Sequence, residues 1–124
     1  MVAIDEFLQE HDIGEVDILH SDIQGAELDM LKGCANSIRD NKINFFVVST
    51  HGNKHDSCKK ILEDAGYIVC TEHSVEESVS ADGLLAAHAP HISGVGKIEI
   101  TKARLSLSQK VHRSLRKIKQ RILS

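Results

Sequence analysis

The chain has 124 residues and a formal net charge of −3, and its 41% hydrophobic and 27% charged residues are typical of a globular protein. This length supports one hydrophobic core and excludes a large multidomain protein. The apolar runs are far shorter than the roughly 20 residues that a membrane-spanning helix needs. The acidic, amphipathic N-terminus lacks the basic and apolar regions of a secretory signal, so we expect a cytoplasmic protein.

The first 90 or so residues alternate helical and strand patterns. Gly33 interrupts the second helical pattern and favours two short helices there, and Asn53 or Asp56 is a candidate cap for the third. Gly66 is expected to end that third helix. The predicted order is a helix at 3–11, a strand at 16–23, a helix from 26 to 38, a strand at 43–50, a helix up to 65, a strand at 67–71 and a strand at 83–89.

Strands that alternate with helices indicate a parallel sheet covered by helices, which is an α/β, Rossmann-like architecture. The last two predicted strands are separated by a polar, serine-rich loop rather than by a helix. We therefore expect them to form an antiparallel hairpin at one edge of the sheet.

Charge divides the chain into two parts. Residues 97–124 contain nine Lys and Arg and one acidic residue, a net +8, and the remainder carries six basic and 17 acidic residues, a net −11. Such asymmetry favours a separate role for the C-terminal part. We predict a domain at 1–92, followed at 93–124 by a linker and a basic amphipathic helix at about 105–123.

The three cysteines, Cys34, Cys58 and Cys70, are odd in number and have no C-x-x-C spacing. This pattern indicates neither a disulfide framework nor a cysteine-based zinc site. We expect all three to be reduced and buried, because free cysteine behaves as a small apolar residue.

Polar residues follow the first two predicted strands, at the edge where open parallel sheets bind their ligands. They are Asp22, Gln24 and Glu27 after the first strand, and His51 and His55 after the second. Asp22 and His51 are the predicted catalytic pair, since an imidazole beside a carboxylate can take a proton from a substrate hydroxyl. Asp22 would then orient the imidazole or hold the acceptor.

Structural roles compete with these catalytic ones. Asp22 could simply cap the helix that starts near Gly25. The helix dipole alone would favour Glu27 in the first turn of that helix. His51 could be a structural histidine. We nevertheless predict that Gln24, Glu27 and His55 contact the substrate.

A second version of the mechanism places a divalent ion on Asp22 with help from His51. Mg²⁺ prefers oxygen ligands, and the sequence offers one obvious carboxylate at this edge. We therefore expect no metal ligands and no divalent metal cofactor.

The stretch VDILHSDIQGAELDMLKG, followed by KINFFVVSTHG and GYIVCTEHSVEESVSADGLLAAHAP, resembles the carboxyl half of the FkbM family of S-adenosylmethionine-dependent methyltransferases. The resemblance covers residues 3 to about 90. It implies the second half of a class I methyltransferase fold, in which Asp22 ends the fourth strand and His51 ends the fifth. It also implies methyl transfer from S-adenosylmethionine to a hydroxyl of a sugar or polyketide-like small molecule.

The sequence departs from that family at several positions. Gln24 stands where many relatives have an acid, and Ser49-Thr50-His51 stands where many have Glu-x-His. No GxGxG pattern occurs, so the cofactor-binding residues stay unknown and we expect a truncated or split form. The predicted strand at 16–23 would then lack a neighbour, and we expect self-association or a complementing N-terminal half.

A competing interpretation is a non-catalytic binding module that acts through the basic C-terminal helix. Its apolar residues recur at steps of mostly three and four: Leu105, Leu107, Val111, Leu115, Ile118 and Ile122. Such a helix suits a membrane surface, RNA or an acidic protein groove, or it packs on its own domain. The segment contains no aromatic residue, so we expect neither nucleic acid nor membrane as a partner.

Overall fold

The computed structural model describes residues 2–79, 82–100, 102, 111, 114–116, 118–119 and 121–122. Four helices and four strands are defined within them. In chain order they are α1 (Ile4–Glu10), β1 (Val16–Ser21), α2 (Glu27–Lys32), α3 (Ala35–Arg39), β2 (Ile43–Thr50), α4 (His55–Asp64), β3 (Ile68–His73) and β4 (Gly83–His88). None of the helices in these ranges is both long and apolar enough to cross a membrane.

The four strands form one sheet in the order β1-β2-β4-β3. β1 runs parallel to β2, whereas β4 runs antiparallel to both β2 and β3. The predicted α/β fold with an antiparallel pair at one edge is therefore confirmed. Because β4 runs antiparallel to β2, its first residues lie at the edge where β1 and β2 end.

The core lies on one face of this sheet. Side chains that alternate along the strands, such as Phe46, Val48 and Leu85, have no exposed surface. They pack against buried residues of three helices, including Leu31 of α2, Ile38 of α3 and Leu62 of α4. The helix-covered face thus fixes the orientation of the strands and the side chains at their ends.

The opposite face and the β1 edge are more open. Ile18 on β1 is 63% exposed, and Ile68 on β3 is 51% exposed. In the part of the chain that the structure describes, β1 pairs only with β2. This leaves the backbone groups on one side of β1 without a neighbouring strand.

The predicted break near Gly33 is confirmed, since α2 ends at Lys32 and α3 begins at Ala35. Asp5 of α1 stabilises the start of α3, where its carboxylate accepts the Asn36 and Ser37 N–H groups at 2.9 and 3.0 Å. Burial would raise the pKa of Asp5, but these bonds and one from the Ser37 hydroxyl lower it from its ordinary value. Asp5 is therefore a capping residue contributed by a neighbouring helix.

The predicted caps of α4 are wrong. The helix begins at His55 after Lys54, and no side chain caps it. Its end agrees with the prediction, because Gly66 has a φ of 88°, a left-handed conformation that favours glycine.

The cysteine prediction is confirmed, because Cys34, Cys58 and Cys70 are all free and buried. Burial raises the pKa of Cys34 to about 12 and that of Cys58 to about 11. Both thiols are therefore protonated at neutral pH and unsuited to nucleophilic chemistry.

The C-terminal part is described only in places. Within the predicted basic helix, residues 111, 114–116, 118–119 and 121–122 are helical and exposed, and the rest of that prediction lies outside the described residues. Upstream of it, the Ile98 N–H donates to the Cys70 carbonyl of β3 at 2.7 Å. Part of the predicted linker thus lies against the sheet, and the proposed division after residue 92 stays a prediction.

Candidate functional site

The turn after β1 sets one wall of the site. Gln24 and Gly25 have φ values of 51° and 98°, which reverse the chain before α2 begins. Lys54 donates a hydrogen bond from Nζ to the Gly25 carbonyl and so ties this turn to the one after β2. Ala26 occupies the N-cap position of α2, and no side chain bonds there, so the capping role considered for Asp22 is wrong.

Glu27 lies under the site rather than at its open edge. It has no exposed surface, although it is charged and lies in the first turn of α2. Its Oε1 accepts hydrogen bonds from the Gly25 N–H at 3.0 Å and from His51 Nδ1. This contact assigns the proton of the neutral imidazole to Nδ1 and directs Nε2 away from Glu27.

The other side of the His51 ring faces two carboxylates. Nε2 lies 3.3 Å from Asp22 Oδ1 and 3.3 Å from Asp82 Oδ1. The Asp22 and Asp82 side chains are 54% and 39% exposed, whereas that of His51 is 14% exposed. The structure thus brings the predicted pair Asp22 and His51 together and adds Asp82. We name these three residues the edge cluster.

The edge cluster favours a positive charge at its centre. Burial would lower the pKa of His51, but the bond to Glu27 and the charges of Glu27, Asp82 and Asp22 outweigh it, so this pKa is raised. Burial would raise the pKa of Glu27, but hydrogen bonds from the Gly25 N–H, its own N–H and His51 lower it. The pair is therefore suited to an ionised carboxylate beside an imidazole that readily takes a proton.

His55, the second predicted histidine, is held inside the fold. Its Nδ1 is 2.8 Å from Thr50 Oγ1, and its Nε2 is 3.0 Å from Glu72 Oε2. Lys59 donates to the other oxygen of Glu72 at 2.6 Å. We name Thr50, His55, Glu72 and Lys59 the inner network. It ties the end of β2 and the start of α4 to β3, and both ring nitrogens of His55 are engaged.

The remaining predicted contact, Gln24, is exposed in the turn after β1. Nothing in the structure tests whether Gln24, Glu27 or His55 binds a substrate, and these roles stay predictions. The structure does place Glu27 and His55 in internal contacts.

Sequence reasoning missed Asp82 and Lys54. Asp82 follows a polar loop and directly precedes Gly83, where β4 begins. An antiparallel strand beside β2 must start at the edge where β2 ends, since Thr50 pairs with Gly83. An acid just before a final strand at that edge is the signal that could have identified Asp82.

A groove of about 990 Å³ runs along β3 and beside residues 97–100 and 102, and its lining includes Lys59, Glu72 and Ile98. No residue of the edge cluster contributes to that lining. The site is therefore defined by the converging polar side chains and not by this groove.

Comparison with known proteins assigns the chain to a protein family. The sequence profile of the methyltransferase FkbM domain matches residues 1–69, which is more than half of the chain. This chain belongs to the FkbM methyltransferase domain family. The matched part of the FkbM domain includes Asp22, Glu27 and His51, whereas Asp82 lies beyond it.

A curated relative of this FkbM domain is the protein named "Putative methyltransferase" from Jannaschia sp. (strain CCS1). The two sequences are 31% identical over 83 residues, a match that covers 60% of this chain and 29% of the relative. The chain thus spans under a third of the relative's length, and the match does not by itself assign the activity of the whole relative to this FkbM domain.

Proposed function

We propose that the chain takes part in methyl transfer from S-adenosylmethionine to a hydroxyl group of a small molecule such as a sugar or a polyketide-like metabolite. Membership of the FkbM family supports the reaction class. The observation that supports the site is the partly buried imidazole of His51, which Glu27 orients and which faces the half-exposed carboxylate of Asp22. A hydroxyl group that enters from solvent can reach the Asp22 carboxylate, which lies 3.3 Å from His51 Nε2.

In this proposal the acceptor hydroxyl donates a hydrogen bond within the edge cluster and passes its proton to His51 Nε2. Glu27 stabilises the imidazolium that results, because its carboxylate is bonded to Nδ1. S-adenosylmethionine, if held beside the edge cluster, would supply the methyl group, and its sulfur would keep the electron pair of the broken bond. Asp22 holds the acceptor oxygen in place.

The described residues fit the acceptor side of this reaction but not the cofactor side. A nucleoside cofactor in such folds lies on a glycine-rich turn between a strand and a helix. The turns that follow β1 and β2 each contain a single glycine, Gly25 and Gly52. We therefore assign no cofactor contact to the described residues, and we propose that a complementing polypeptide supplies it.

Transfer of a labelled methyl group tests the function. Purified chain, alone and mixed with a separately made N-terminal half that carries a glycine-rich cofactor turn, is incubated with S-adenosyl[methyl-³H]methionine and a panel of sugars and polyketide-like alcohols, and S-adenosylhomocysteine binding is measured by calorimetry. We expect His51→Ala to lower incorporation about 10²- to 10⁴-fold, which is the usual contribution of a general base. His73→Ala on β3 is the matched control and should leave incorporation unchanged.

Two results would reject the proposal. Equal incorporation by wild type and His51→Ala would remove His51 from the reaction. Absence of both incorporation and S-adenosylhomocysteine binding, with the N-terminal half as well as without it, would exclude methyl transfer by this chain.

The exposure of the C-terminal helical residues supports a second candidate, a binding module. Val111, Leu115, Ile118 and Ile122 are 50%, 58%, 53% and 76% exposed. Removal of residues 97–124 should then abolish binding to a partner without changing cofactor binding. Co-sedimentation with anionic vesicles and gel shifts with RNA compare the full chain with the shortened one, and equal behaviour of the two would reject this candidate.

A further inference from the structure

The three side chains of the edge cluster present one ligand atom each to a common point. The ring nitrogen of His51 and one carboxylate oxygen each from Asp22 and Asp82 all lie within 4.8 Å of one another. Both nitrogen–oxygen separations are 3.3 Å. A tetrahedral ion with bonds of about 2.0–2.2 Å holds its ligand atoms about 3.3–3.6 Å apart, so these separations match those of a first coordination shell.

A second observation points to the same place. His51 Nε2 is inaccessible to solvent and has no hydrogen-bond partner among the described residues, although it faces two acceptor oxygens. With the proton of the neutral ring on Nδ1, the Nε2 lone pair points at negatively charged oxygens. That arrangement is repulsive unless a proton or a metal ion lies between them.

The third observation is the fully buried carboxylate behind the ring. Glu27 has no exposed surface, accepts the Nδ1 proton of His51, and its other oxygen Oε2 lacks a hydrogen-bond partner in the described parts of the chain. A carboxylate that fixes the far nitrogen of an imidazole is the usual second shell of a metal-binding histidine. Glu27 is therefore in the position of such a residue.

We propose that Asp22, His51 and Asp82 bind one divalent cation of the Mn²⁺ to Zn²⁺ series, with Glu27 as the positioning residue. One imidazole nitrogen with two carboxylate oxygens suits these ions, whereas Ca²⁺ and Mg²⁺ prefer oxygen ligands alone. Two carboxylates also neutralise the charge of the ion. Sequence reasoning disfavoured a metal because it had one carboxylate, and Asp82 supplies the second.

Three protein ligands leave coordination positions open, and the two aspartates are reachable from solvent. The catalytic use of the ion rests on the proposed function. In that case the ion, and not His51, would lower the pKa of the acceptor hydroxyl, and the hydroxyl proton would pass to solvent. Binding of the ion does not depend on that function.

The test measures ion binding without any cofactor or acceptor. Purified full chain is titrated with MnCl₂ and with ZnCl₂ by calorimetry, and with CoCl₂ while the visible spectrum is recorded. We expect one saturable site per chain and a Co²⁺ spectrum typical of mixed nitrogen and oxygen ligands. Asp22→Asn and Asp82→Asn should each weaken binding about 100-fold, and Glu27→Gln about 10- to 100-fold.

Asp64→Asn is the matched control, because Asp64 is an exposed aspartate paired with Lys60 away from the edge cluster. Asp22 and Asp82 are half-exposed, so their variants should fold, and circular dichroism checks this. Absence of saturable binding tighter than about 1 mM, or equal binding by the Asp22→Asn, Asp82→Asn and Asp64→Asn proteins, would overturn the proposal. Neither result depends on methyl transfer, so a failure of the proposed function is recognised separately.

Discussion

His51 and His55 lie four residues apart and both contact a glutamate, yet the structure uses them in different ways. His55 in the inner network has a partner at each ring nitrogen, Thr50 at one and Glu72 at the other. His51 has Glu27 at Nδ1, whereas its Nε2 faces two carboxylates without a hydrogen bond among the described residues. A histidine with a hydrogen-bond partner at both ring nitrogens connects the secondary-structure elements around it. A histidine with one ring nitrogen unbonded can use that nitrogen to bind a ligand or a proton.

The difference arises from strand geometry. Thr50 is the last residue of β2 and points into the helix-covered face, where it has no exposed surface. His51 follows it directly, beyond the end of β2, where its ring lies between Glu27 and the carboxylates of Asp22 and Asp82. The inner network therefore anchors the backbone on which the edge cluster is built, and each part can be changed separately.

The largest expected effect comes from a change that breaks both parts. A Cβ on Gly83 would collide with Thr50 Oγ1 and lie 3.0 Å from the His73 carbonyl. We expect Gly83→Ala to lower the free energy of unfolding by about 3 kcal/mol, because overpacking here must displace β4 from β2. Urea denaturation measures this, and Gly14→Ala, which meets nothing within 4 Å, is the control. Equal stability of the two variants would contradict the tight contact.

Breaking only the inner network should have a smaller effect. His55→Gln removes one partner each from the buried Thr50 hydroxyl and from Glu72, and we expect a loss of about 2 kcal/mol in the free energy of unfolding. His73→Gln on the same sheet should change it by under about 0.5 kcal/mol. If His55→Gln were as stable as His73→Gln, the structural role of His55 would be wrong.

The inner network also predicts a pH dependence of stability. Burial would raise the pKa of Glu72, but Lys59 and His55 outweigh it, so this pKa is lowered below the ordinary 4.5. The stabilisation is therefore complete above pH 4.5 and is lost as pH falls through the lowered pKa. Stability measured at a series of acidic pH values should decline less for Glu72→Gln than for wild type. Glu6→Gln on α1 should decline as wild type does, and parallel curves for all three proteins would refute the linkage.

The smallest expected effect on stability is at the open β1 edge. Ile18→Lys should change the free energy of unfolding by under about 0.5 kcal/mol, because Ile18 is 63% exposed. It should nevertheless reduce self-association, as measured by sedimentation velocity, because a lysine on an edge strand opposes pairing with a strand of another chain. Val2→Lys, at another exposed apolar position, should associate as wild type does. A wild-type chain that stays monomeric at high concentration would refute the expectation.

Most of the fold was predictable from the alternation of helices and strands, because the spacing of apolar residues and the positions of glycines can be read from short stretches of sequence. It also placed Asp22 and His51 together, because the ends of parallel strands meet at one edge. Asp82 was not predictable in the same way, since its position depends on β4 inserting between β2 and β3, a pairing of residues far apart in the chain. The inward direction of Glu27 and His55 likewise depends on packing and not on local pattern.

The backbone bond from Ile98 to Cys70 has a consequence for how copies of this chain could join. A sheet with two free sides can add strands without limit and grow into fibres. Here the segment that contains Ile98 lies beside β3 and obstructs that edge of the sheet. Among the described residues, the outer side of β1 is the edge left for pairing. Two copies joined through β1 about a twofold axis would use up that side in both, so growth would stop at the dimer.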